Sequence, residues 1–163
     1  MIVISDAAPI ISLTKIGQLA LLAKLFGNVI VTEAVFKELT TNTHYPSEIA
    51  KIKACPFIEI LPVQDSEKVR SFMQLTKLDI GESESIILAQ EIKADTLLID
   101  ERKGRAVAKK MGLRITGSVG ILIAANQKGV LSREDAIYLV DELREIGTRI
   151  SDDLYRIALN GLK

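Results

Sequence analysis

Short apolar runs alternate with longer amphipathic ones along the chain. Five runs are brief, rich in β-branched residues and bounded by charge or turn residues: Ile2-Val3-Ile4-Ser5, Asn28-Val29-Ile30-Val31, Ile58-Glu59-Ile60-Leu61, Thr96-Leu97-Leu98-Ile99 and Leu113-Arg114-Ile115-Thr116. Runs of this kind read as strands covered on both faces, as in a parallel sheet. Between them apolar residues recur at helical spacing. Ile10, Ile11, Leu13 and Ile16 follow Pro9, which suits a helix's first turn. Leu19, Leu21, Leu22 and Leu25 continue on a second short helix after Gly17, and Thr32 can N-cap a helix through Ala34, Val35 and Leu39. Residues 40–56 are the least regular, with a turn around Asn42 and Pro46 leading into a short helix capped by Ser47. Asp65 or Ser66 starts a helix through Val69, Phe72, Met73 and Leu75, and another helix opens at Gly81. The helix from Arg102 to Met111 is stopped by Gly112, and Gly117-Ser118 opens the next through Ile121, Leu122 and Ala125. Ser132 with Asp135 forms an N-capping pattern for a helix to about Ile146, and Ser151 caps a last one through Leu154, Ile157 and Leu159. Strands alternating with helices, closed by helices alone, predict an α/β fold: a three-layer α/β/α sandwich on a mainly parallel, about five-stranded sheet. No stretch reads as a linker, so residues 1–163 are expected to form one domain, with the C-terminal helices of 132–163 part of the same unit.

Composition narrows the chemistry. The chain has 163 residues, 48% of them hydrophobic, enough for a substantial core. Lys plus Arg and Asp plus Glu number 21 each, so any surface for a polyanion must be local. The single Cys55 excludes an internal disulfide and fits a reducing compartment. Nothing reads as a leader peptide or a membrane span, and a soluble, cytoplasmic protein is expected. One His and one Cys cannot build a Cys/His zinc cluster, and a His-based triad would need His44, which sits in a polar loop and reads as a surface residue. Neither a GxxxxGK[ST] loop nor a GxGxxG fingerprint is present. Hydrolysis would therefore rest on carboxylates, with Mg²⁺ or Mn²⁺ held by oxygen.

Asp6 and Asp100 close two of the expected strands, where open α/β sheets gather their chemistry. Glu38 and Glu82 sit on helices that can overlook the same edge. Four acids brought together repel unless a divalent cation fills the gap, and such a cation can activate water and stabilise the leaving oxygen of a phosphodiester. Arg102, Lys103, Arg105, Lys109, Lys110 and Arg114 follow Asp100 closely and offer a local seat for a polyanionic backbone. Each acid also has a plainer reading: Asp100 as the N-cap of the helix after it, Glu82 as a partner of a helix dipole, Glu38 as a solvated residue near Lys37 or Lys24.

The segments VISDAAPIISLTKIG, VTEAVFKEL, LDIGESESIILA, LLIDERKGRAVAKKMGLRITGSVGIL and ELREIGTRISDDLY together resemble a PIN-domain protein of the VapC-like branch, over essentially the whole chain. The resemblance implies a metal-dependent endoribonuclease of the VapC-like toxin type, cleaving RNA phosphodiesters with a carboxylate-held Mg²⁺ or Mn²⁺ and an activated water. It implies a cognate antitoxin protein and a homodimer as partners. It assigns the catalytic and metal-holding roles to Asp6, Glu38, Glu82 and Asp100, with Glu101, or failing that Glu84, as substitutes. Arg102, Lys103 and Arg105 would contact RNA, and Ser5, Thr116 and Ser118 would give polar support. The chain departs from the pattern at Ala7-Ala8, where many PIN nucleases carry side-chain oxygens. That departure keeps a second reading open: a catalytically weak or inactive PIN-like module that binds RNA or protein. A third class, transfer through an aspartyl-phosphate, ranks lowest because Ala8 stands where a second Asp would be needed.

Overall fold

The computed structural model describes residues 1–41 and 46–163; Asn42 and His44, with the turn expected there, lie outside the described residues. Strands β1 (Val3–Ser5), β2 (Val29–Thr32), β3 (Ile58–Leu61), β4 (Thr96–Leu98) and β5 (Ile115–Thr116) form one sheet in the order β3-β2-β1-β4-β5. Every neighbouring pair is parallel. The helices are α1 (Ala7–Lys15), α2 (Ala20–Phe26), α3 (Glu33–Thr41), α4 (Pro46–Lys53), α5 (Ser66–Thr76), α6 (Ile80–Glu91), α7 (Arg102–Lys110), α8 (Ser118–Gln127), α9 (Arg133–Glu145) and α10 (Asp152–Gly161).

Successive strand residues point to opposite faces, and this alternation builds the two outer layers. Val3 and Leu98 join the cluster of Ile10 and Leu13 from α1, Leu22 from α2 and Ile121 and Leu122 from α8. Ile4, Leu97 and Ile99 join Ile86, Leu88 and Ala89 from α6 and Ala108 from α7. The C-terminal helices complete the first cluster through Leu139, Val140, Leu143 and Ala158. Helix α6 is buried on nearly all sides from Gly81 through Ala89, so Glu82 is carried into the interior, while Glu84 and Glu91 stay partly exposed.

Several caps form as their residue types dictate. Asp65, Ser132 and Ser151 accept amide bonds from Lys68, Asp135 and Leu154 at 3.0, 3.1 and 3.0 Å, and Thr32 Oγ1 accepts from Val35 at 3.2 Å. Ser47 differs from expectation: α4 already begins at Pro46, and the Ser47 hydroxyl donates to Glu48 Oε2. The last strand is shorter than expected, two residues at the sheet's edge, where only one neighbour enforces extension.

The register places the carboxyl ends of three strands side by side, pairing Ser5 with Leu98 and Leu98 with Thr116. The chain leaves β1 toward β2 and returns on its other side as β4. That makes the β1/β4 boundary the topological switch point, where a doubly wound sheet opens a crevice. Among the described residues no helix is long and apolar enough to cross a membrane.

Candidate active site

Asp6 follows β1 directly at that boundary and is 5% exposed. Its amide donates to the Leu98 carbonyl at 2.8 Å, which fixes it against β4. Its carboxylate shares the space over Gly81 with that of Glu38: a methyl placed on Gly81 would stand 3.1 Å from Glu38 Oε2 and 3.6 Å from Asp6 Oδ1. The missing side chain at Gly81 is what lets Glu38 approach α6 so closely; Asp6 would meet a methyl there only in ordinary contact. Asp79 caps α6, accepting the Glu82 amide at 2.8 Å, and so brings its own charge to the same place.

The electrostatics confirm the crowding. Burial pushes Asp6 up to about 7, against a smaller offset from the Ala7 amide; the charges of Glu82, Asp79 and Glu38 push it further. Glu82 also rises to about 7, first through burial, then through Asp79, Glu101 and Glu38. Glu38 is raised by burial of its carboxyl and by Asp79. Asp6, Glu38, Asp79 and Glu82 thus behave as one cluster, with Glu101 at its margin. The hydroxyl of Ser83, the residue after Glu82, is fully buried and finds no hydrogen-bond partner among the described residues.

Asp100 is placed differently. Both its oxygens are engaged at 2.6 Å, one by the Ser118 amide and one by the Ser118 hydroxyl, so it fastens the start of α8 to the end of β4. It does not cap the helix that follows it; Glu101 holds that position, without a side-chain bond. A methyl on Gly117 would fall 2.8 Å from Asp100 Oδ1, so the backbone there must be bare. Glu84 accepts the Ala34 amide at 3.0 Å and ties α6 to α3. Ser5 donates to the carbonyl of Asp6 rather than to a carboxylate, and Ser118 is committed to Asp100. Thr116 turns its methyl toward Gly120. Arg105 donates to the Ile99 carbonyl at 2.9 Å, bracing the end of β4. Arg102 and Arg105 line an open groove of about 1330 Å³ beside Asp100 and Glu101, whereas Lys103, exposed on α7, is not among the residues that line it.

Asp79 also belongs to the cluster, although it is not among the acids that strand ends and helix positions single out. A signal was present: an Asp three residues before a Glu at the start of an apolar helix is a capping pattern.

The donor set around Gly81 is all carboxylate oxygen, which suits a hard cation, and burial with mutual repulsion is the cost such a cation would remove. Its spacing is looser than a coordination sphere: among the described residues no three acids stand close enough to hold an ion together.

The fold is thus a doubly wound parallel α/β sheet with an acidic crevice at its switch point. A family model described as PIN domain matches residues 2–163, and the chain belongs to that family, whose members are generally nucleases that use divalent metal ions. No curated protein matches the chain.

Proposed function

We propose that this chain is a Mg²⁺- or Mn²⁺-dependent endoribonuclease of the VapC-like toxin type, working in the cytoplasm. The observation that carries the reading is the gathering of acids at the switch point of a PIN-family fold: Asp6 and Glu38 meet over Gly81, and Asp79 and Glu82 stand at the start of the same helix. A fold keeps such a costly cluster where a ligand repays it, and perturbed carboxylates concentrate at functional sites.

In this reading Asp6, Glu38 and Glu82 hold the cation, with Asp79 adding charge and Glu101 near enough to substitute. The cation supplies positive charge for phosphate oxygens and acidity for a water molecule. Asp79 fixes the first turn of α6 and hence the direction of Glu82. Asp100 and Ser118 hold α8 at the rim, and Arg102 and Arg105 receive backbone phosphates from the groove. A cognate antitoxin and a homodimer are proposed with it on the family resemblance; exposed Leu75, Tyr138 and Ile157 offer apolar surface for such contacts.

The test is cleavage of labelled RNA by purified protein with Mg²⁺ or Mn²⁺, beside Asp6→Asn and Glu82→Gln. Metal-dependent cutting that falls to background in both variants supports the reading. Cutting that survives both sinks it.

A second reading is favoured by the loose spacing of the acids and by Ala7-Ala8: a PIN-like module that binds RNA or a partner protein without cutting. RNA binding with no cleavage in either metal would select it.

A further inference from the structure

Asp100 and Glu101 are neighbours in the chain, yet the sheet sends them to opposite layers. Successive residues of an extended strand point to opposite faces. Along β4, Leu98 packs with Val3 in the cluster of α1 and α8, whereas Leu97 and Ile99 pack with Ile4 in the cluster of α6 and α7. Past β4 the chain stays extended: the Ile99 amide still donates to the Thr116 carbonyl at 2.9 Å, and Glu101 has φ −63° and ψ 126°. The alternation therefore carries Asp100 to the α8 side with Leu98, and Glu101 to the α6 side with Ile99. Along β1 it carries Asp6 to the α6 side with Ile4.

The contacts follow the same division. Both oxygens of Asp100 are taken at 2.6 Å by the amide and hydroxyl of Ser118. A methyl on Gly117 would stand 2.8 Å from Asp100 Oδ1 and 2.9 Å from Arg105 Nη1, so Asp100 is enclosed on the side of α8. Glu82 marks the other side: a methyl on Gly104, in the first turn of α7, would stand 3.8 Å from its carboxyl carbon. Glu101 is the N-cap of that same turn, is exposed, and makes no side-chain capping bond. Its charge reaches Glu82, which burial and Asp79 raise first and Glu101 next. Glu is also one methylene longer than Asp. Its reach suits a set of acids spaced more loosely than a coordination sphere.

We infer that Glu101, and not Asp100, joins Asp6, Glu38 and Glu82 in holding a divalent cation, while Asp100 stays apart as the anchor of α8. The inference rests on the metal-dependent reading for the presence of a cation. It adds that two adjacent acids divide the work, and it exchanges them relative to the assignment that the family resemblance implies.

The experiment titrates Mn²⁺ into the full chain by calorimetry at neutral pH, and follows urea unfolding of the same proteins without metal. Glu101→Gln and Asp100→Asn each remove one charge, one residue apart, so attraction through space alone would lower affinity in both. Glu101→Gln is expected to lower Mn²⁺ affinity by about tenfold or more and to leave the urea midpoint close to that of wild type. Asp100→Asn is expected to keep the affinity and to unfold at lower urea, because an amide replaces the charge that both Ser118 donors hold. Ser118→Ala frees one oxygen of Asp100, and its affinity should not rise; this arm stands even where Asp100→Asn does not fold. The inference is overturned by an Asp100→Asn that loses as much affinity as Glu101→Gln, by a Glu101→Gln that binds like wild type, or by a Ser118→Ala that binds Mn²⁺ more tightly. A wild type that binds no Mn²⁺ overturns the metal-dependent reading and this inference with it. A wild type that binds, with the loss at Asp100 instead of Glu101, overturns the exchange alone.

Discussion

Replacing Asp6 by Asn should stabilise the folded protein, in a way that depends on pH. The carboxyl titrates near 3.8 in the unfolded chain and about 7 in the fold, chiefly because burial penalises its charge. A folded value above the unfolded one means that folding takes up a proton between those limits. The stability associated with neutral Asp6 is therefore full below about pH 4 and is lost as pH rises through about 7. Roughly three pH units at 1.36 kcal/mol each give a cost of about 4 kcal/mol at pH 8. Asn keeps the shape and removes the charge, so Asp6→Asn should gain up to about 4 kcal/mol at pH 8 and close to nothing at pH 4. For a chain of this length that gain corresponds to a rise in Tm of about 10 °C. Urea unfolding of both proteins at pH 4, 6 and 8, without divalent ions, measures it. Adding Mn²⁺ at pH 8 should then reverse the order: a cation held by the carboxylates stabilises the wild type by mass action and the variant far less. A variant no more stable than wild type at pH 8, or one whose gain is the same at pH 4, would refute the account of Asp6 as a buried, charge-crowded acid.

Two further substitutions probe the surroundings of the cluster. Gly81→Ala places a methyl 3.1 Å from Glu38 Oε2. The carboxylate must shift, so Mn²⁺ affinity measured by calorimetry should fall, while helix propensity offsets any loss of stability by up to about 1 kcal/mol; unchanged affinity would remove Glu38 from the site. Ser118→Ala deletes the 2.6 Å hydroxyl bond to Asp100 and should cost about 1.5–3 kcal/mol in urea unfolding at neutral pH, as expected for a bond to a charged group. A cost near zero would mean that Asp100 does not fasten α8.

Local pattern carried much of the fold. The five apolar runs, Pro9 in the first turn of α1 and the caps at Thr32, Asp65, Ser132 and Ser151 depend on residues within about one turn of each other, and apart from the shortened fifth strand they form as the sequence predicts. Asp6 at the end of β1 and Glu82 in the first turn of α6 were legible for the same reason. What only the tertiary structure decided is which side chains meet. The strand order sets β4 beside β1 and so puts Asp6 at a switch point, although 90 residues separate the strands in sequence. Packing α6 against α3 places Glu82 and Asp79 beside Glu38 and turns Glu84 to the Ala34 amide. The alignment of β4 with β5 brings Ser118 to Asp100, so one of four similar acids becomes a fastener while the others crowd together. Periodicity says which face of an element is apolar and nothing about which neighbour covers it. Hydrogen bonds and repulsions between distant segments depend on that neighbour, and they decide which acids are raised to about 7 and which is spent holding a helix in place.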